Sequence, residues 1–220
     1  MAAQVILVFH IVVLGYWLGS ELVINATFRY VSWSASMPFA ERNRLMDHVM
    51  DVDQHVRYAL VMQAGSGVAL AALYGLVPGA AGLAWVAAGL ALAWLVLVEI
   101  THRGRAKSWG NKLAAFDRAI RYLVILAILG VALASALEAF TLPAWLVWKL
   151  VCFAGVISCG LGIRFALMSF YRIWIEIERD GSNDHRESLI RQAYVQATSV
   201  LLGLWVFIVI ILVLSIWKPI

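Results

Sequence analysis

The stretch VILVFHIVVLGYWLGSELVI, residues 5–24, decides the fold. Only His10 and Glu21 in it can carry charge near neutral pH, and at 1.5 Å per residue it reaches about 30 Å, the thickness of a hydrocarbon core. No basic segment precedes it and no small-residue cleavage site follows, so a retained span is expected rather than a secretory leader. Working outward, the span widens to about 4–28, and five more apolar runs follow at about 56–77, 80–102, 118–140, 143–174 and 192–217. The turn signals Val77-Pro78-Gly79 and Thr141-Leu142-Pro143 and three charged connections divide them. With 63% hydrophobic and 14% charged residues in 220, and a mean hydropathy of +0.86, the chain has too little charge to clothe a soluble domain. The expectation is an all-α integral membrane protein, one domain over residues 1–220 built as a single bundle of six transmembrane helices. Cys152 and Cys159 fall in one apolar run, where a disulfide has little to staple, and they give no redox compartment.

Charge sets the orientation. All 17 Lys and Arg residues except Lys149 and Lys218 lie in or beside the three longer connections. The positive-inside bias then puts those loops in the cytoplasm and both termini outside, in a bacterial-type inner (plasma) membrane. A pI of 9.3 is explained by this topology and by anionic lipid, with no nucleic acid invoked. Arg105 belongs to the second of these basic clusters. Between spans one and two, Ser36-Met37-Pro38 reads as a helix start, and Leu45, Val49, Val52 and Val56 recur at helical spacing. A cytoplasmic helix is expected there, running straight into span two. Span five continues helically to Glu178, beyond bilayer length, and RDGSNDH (179–185) is its stop.

Ionisable groups at membrane depth are costly and normally face the bundle interior, so they are the strongest functional clues. In span one, His10, Leu14, Trp17, Glu21 and Asn25 share one helical face, with Gly15 and Gly19 opposite as a small-xxx-small contact surface. At the outer depth Glu138 and Lys149 approach the level of His10, with Cys152 one turn further in; they form either an ion pair or part of a ligand set. At the inner boundary His48, Asp51 and His55 share one face, and Glu99 and His102 make a Glu-x-x-His pair. Glu21 reaches the same depth. These carboxylates and imidazoles suit a mono- or dinuclear iron site; alternatively His55 and His102 hold a b-type haem where Gly65, Ser66 and Gly67 leave room. The plain alternative is a set of solvated boundary charges, with Glu99 paired to Arg103 at i+4. Among ten tryptophans, Trp109, Trp145, Trp148, Trp174 and Trp217 fall at span ends like an interfacial belt, while Trp17, Trp85, Trp94 and Trp205 suit lipid or cofactor packing.

The segment His10-Ile-Val-Val-Leu-Gly-Tyr-Trp17-Leu-Gly19-Ser20 is a His-x6-Trp-x-Gly pattern. Over these residues it resembles the first helix of HemJ-type haem-dependent protoporphyrinogen oxidases, CopD-type copper-resistance proteins and the membrane anchor of PuuD-type urate oxidases. The resemblance implies that His10 is a haem or metal ligand; the residues themselves offer Lys149, Cys152 or no residue as the second ligand and Trp17 for packing against the cofactor. Copper fits less well, because a Met-rich outer surface is lacking.

Three functions follow from these residues. The first is a haem- or iron-dependent oxidoreductase acting on a lipophilic substrate (a quinol, a porphyrinogen or a lipid), with Glu21 and Glu99 as acid/base groups. The second is a carrier of metal ions or protons along the His10–Trp17–Glu21 face. The third is an accessory subunit or assembly factor whose charged loops bind a larger membrane complex or a second copy.

Overall fold

The computed structural model describes residues 1–77, 79–104 and 107–218; Pro78 and Arg105 lie outside them. Among the described residues there are no strands, and six helices are long and apolar enough to cross a membrane. They are α1 (Ala2–Trp33), α2 (Phe39–Leu73), α3 (Ala80–Arg103), α4 (Gly110–Ala136), α5 (Ala144–Asp180) and α6 (Asp184–Trp217). A helix satisfies its own backbone polar groups, which is what an apolar run needs where no water can do so. Val5, Val8, Leu22, Leu90, Leu126, Val206 and Ile216 are exposed, as side chains facing lipid tails should be.

Local chemistry sets the helix ends. The Pro38 carbonyl accepts from the Glu41 and Arg42 amides at 3.0 and 3.1 Å, so α2 starts directly after the proline. It then continues unbroken from the charged segment into the apolar one, as the sequence predicts. It stops at Leu73, short of the expected residue 77. The Leu76 amide donates to the Ala71 carbonyl and that of Gly75 to Ala72, closing a Schellman motif with Gly75 at φ 71°. Helix α4 closes in the same way, through Ala139 to Ala134 and Glu138 to Ser135, but here a glutamate takes the left-handed position, at φ 59°. Helix α4 also starts eight residues early, at Gly110, and α6 at Asp184, because polar helical turns extend the apolar runs. The RDGSNDH stop holds: Gly181 turns the chain at φ 83°, and Asn183 caps α6 by accepting from the Arg186 amide at 2.8 Å.

The helices form two compact units. One comprises Met1–Ile24 and His48–Ile120, the other Asn25–Asp47 and Arg121–Ile220. In the first, α2 and α3 meet closely: a Cβ on Gly65 would lie 2.5 Å from that of Ala91, and Gln54 donates to the Val98 carbonyl at 3.3 Å. In the second, α5 and α6 approach through small residues, with Gly155 against the Phe207 ring and Gly162 against Val200. Phe28, Phe170, Trp174 and Tyr194 fill its interior. A buried ion pair also lies there. Arg42 donates to both carboxylate oxygens of Glu187 at 2.7 and 3.0 Å, Ser182 donates to the same carboxylate at 2.6 Å, and the guanidinium lies over Trp174. Trp174 in turn donates to Asn43 at 2.9 Å. Trp174 is therefore buried, not a belt residue as its position near a span end suggested, because Phe39, Phe170 and Arg42 cover its faces.

Candidate functional site

Within the first unit, α1, α2 and α3 line a groove of about 630 Å³. Its walls are Phe9, Val12 and Val13 from α1, Met62 from α2, and Leu95, Val96 and Ile100 from α3. Tyr16, Tyr58 and Glu99 complete the lining and give the groove its polar groups. The depression is open and its surface almost wholly apolar, as suits a lipophilic ligand met from the side.

The polar groups are linked. Tyr16 is hydrogen-bonded to His55 Nδ1, and the two rings meet edge to face at 5.8 Å. His55 meets the Tyr58 ring edge to face at 6.2 Å. The Tyr58 hydroxyl donates to Glu99 Oε2, while Arg103 Nε donates to Glu99 Oε1. The Arg103 side chain is 79% exposed and that of Glu99 32%. The series Tyr16, His55, Tyr58, Glu99, Arg103 thus runs from the groove wall to an exposed cation.

His10 lies on α1 six residues before Tyr16, about 9 Å along the axis. Its Nδ1 is 2.7 Å from Ser66 Oγ, and that hydroxyl donates to the Met62 carbonyl at 2.6 Å. With its hydrogen so committed, Ser66 accepts from His10 Nδ1, a bond that fixes the orientation of the ring. A hydrogen bond on one ring nitrogen is the usual way in which a ligating imidazole is oriented. Gly67 gives the ring room: a Cβ there would already touch His10 Cε1 at 3.5 Å.

The other sequence-predicted residues scatter. Among the described residues, no three His, Cys, Asp or Glu side chains come together as a metal site. His48 and Asp51 are exposed, His102 is half-buried, and Glu99 is taken by Tyr58 and by Arg103 at i+4. Glu21 is buried and accepts from Trp17 Nε1 at 3.2 Å, so Trp17 serves a carboxylate. Gly65 does not leave room for a haem between α2 and α3, because Ala91 fills that space. Gly15 and Gly19 are not a helix contact surface in this structure: both are exposed, and a Cβ on either would meet nothing within 4 Å. Lys149 and Glu138 belong to the second unit, where Lys149 is half-buried and Glu138 exposed.

Comparison with known proteins finds no matching family model, no matching curated protein and no matching solved structure. The site is therefore read from its own geometry. Sequence reasoning missed Tyr16 and Tyr58, and gave Ser66 only as room for a haem, not as the partner of His10. Tyr58 lies three residues after His55 and on the same helical face, and that spacing was the available signal.

Proposed function

We propose that this chain is a multi-pass membrane oxidoreductase that takes a lipophilic substrate into the groove of the first unit, with a haem held by His10. The observation that carries the reading is the groove itself: apolar walls opening to the lipid side and a hydrogen-bonded Tyr16–His55 and Tyr58–Glu99 pair among its lining. The Ser66 hydrogen bond that orients His10 supports haem ligation over the scattered inner carboxylates. In this reading the termini face outward and the charged connections lie in the cytoplasm of a bacterial-type cell.

A haem, when bound, supplies one-electron redox chemistry. The chain's own residues do the rest. Met62, Val12, Val13 and Leu95 hold the apolar body of the substrate and exclude water. Tyr58 takes up a proton at the groove as its own hydrogen passes to Glu99, and Glu99 releases it toward the exposed side at Arg103.

An absorption spectrum of the purified protein, oxidised and dithionite-reduced, tests this. A Soret band with reduced α and β bands that disappears in His10→Ala is expected. A folded protein with no Soret band in the wild type overturns the haem assignment.

A further inference from the structure

We infer that the connection between α3 and α4 docks an anionic phospholipid, with the phosphate at Lys107 and Lys112 and an acyl chain along Phe116. The inference is independent of the groove and of any cofactor.

The charge of the chain is concentrated in this connection. Residues 99–121 hold six basic and two acidic side chains, a net +4, which equals the formal net charge of the whole protein. The other two charged connections are balanced: residues 29–57 carry four of each sign and residues 164–191 five of each. The positive-inside bias counts lysine and arginine and is nearly indifferent to acids, so it accounts for all three connections without explaining why one alone lacks counter-charge. The two acids of that connection are engaged elsewhere. Glu99 accepts from Tyr58 and Arg103, and Asp117 is buried and accepts from Trp94 at 3.0 Å. Lys107 and Lys112 are exposed.

The helix starts show the same contrast. Of the helices that begin at a charged connection, α2 has Glu41 in its first turn and α6 has Asp184 and Glu187, whereas α4 has no acid there. The positive end of the α4 dipole therefore adds to the cations instead of being offset.

Placement favours a lipid over a water-soluble anion. Residues 104–109 alone separate the two helices, and their backbone is tied down: the Lys107 amide donates to Gly104 and that of Gly110 to Lys107, both at 2.9 Å. The Trp109 ring packs on Gly104, where a Cβ would overlap it. The cations are thus held at the ends of the spans, at headgroup level. Lys107 Nζ lies 5.3 Å from the centroid of the Trp109 ring. Lys112 and Phe116 follow Trp109 at i+3 and i+7, on one face about 10 Å long. Trp109 is 39% exposed and Phe116 57%. Two ammonium groups beside an indole, with a phenyl ring further along the span, match a phosphate diester above a hydrocarbon chain. A soluble acidic partner would leave Phe116 without a contact.

The test adds palmitoyl-oleoyl phosphatidylglycerol or the matching phosphatidylcholine to the detergent-purified full chain and follows bound lipid by native mass spectrometry. One phosphatidylglycerol is expected to be held about thirtyfold more tightly than phosphatidylcholine, the combined effect of two cations near the surface. Lys107→Gln and Lys112→Gln should each weaken phosphatidylglycerol about fivefold and together about thirtyfold, with phosphatidylcholine unchanged. Both lysines are exposed, so the variants should keep the wild-type melting temperature. Phe116→Ala should weaken both lipids and keep their ratio. Arg44→Gln combined with Arg172→Gln removes the same charge from the balanced connections and should leave the preference intact. A loss there as large as in the lysine pair assigns the effect to overall charge and overturns the inference. So does a preference that survives in the lysine pair. Equal retention of the two lipids by the wild type also overturns it, and leaves the cations to an acidic protein partner.

Discussion

Replacing Glu187 by Gln tests the buried ion pair of the second unit. Arg42 is 1% exposed and Glu187 3%, and three hydrogen bonds, two from Arg42 and one from Ser182, converge on the carboxylate. The substitution keeps the shape and one acceptor oxygen but strips the negative charge, leaving a guanidinium between Trp174 and a neutral amide. Removing one partner of a buried pair costs about 3–5 kcal/mol. The retained acceptor places Glu187→Gln at the low end, about 3 kcal/mol. For a chain of this length that lowers the melting temperature by roughly 6–12 °C. Circular dichroism of the purified variant in one fixed detergent measures the shift. The physical cause is an uncompensated charge, so deleting both charges together should be milder than deleting either. Arg42→Met combined with Glu187→Leu is expected to melt above both single variants. If the double variant loses as much as the sum of the singles, the stability comes from packing around Trp174, and the ion-pair reasoning fails.

Three other substitutions read different parts of the structure. Gly65→Ala should destabilise by about 1–3 kcal/mol, the cost of forcing a methyl into a packed contact, because its Cβ would come to 2.5 Å from Ala91; an unchanged melting temperature would mean that α2 and α3 are further apart. Glu138→Gly should stabilise by roughly 1 kcal/mol by relieving a left-handed residue, seen as a rise in melting temperature, and a fall would refute the Schellman geometry. Ser66→Ala removes the acceptor that orients the His10 ring, and should weaken haem retention about 10–100-fold, measured by transfer to apomyoglobin; wild-type retention would show that Ser66 does not orient the ligand.

The helices were legible because lipid solvent makes length and apolarity nearly sufficient. Helix α2 shows this best: a turn signal at Met37-Pro38 followed by helical periodicity places its start, and nothing later interrupts it. Boundaries were less legible where hydrogen bonding outvotes hydropathy. Leu76 and Val77 are apolar enough to belong to a span, yet the 6→1 bond from Leu76 to Ala71 has already closed the helix. Glu138 gave no sequence sign of a left-handed cap, since glycine usually takes that place.

The site was legible in its ingredients and not in its pairings, and the reason is physical. Periodicity tells which residues share a face of one helix, but a partner on another helix depends on rotation and crossing, which no single run encodes. His55, Glu99 and His102 look like a ligand set when only ionisable groups are counted. The structure instead gives His55 to Tyr16 and Glu99 to Tyr58. Tyrosine was passed over because it is neutral at working pH and common near span ends. In an apolar groove that neutrality is what suits it: a phenol can line the wall at little cost and still carry one hydrogen to the carboxylate behind it. Arg42 and Glu187, 145 residues apart in sequence, carry no sign of each other in the sequence. Direct contact turns them from solvated groups into the charged centre of the second unit, so the first group to seek beside any apparent boundary charge is its counter-charge from a distant helix.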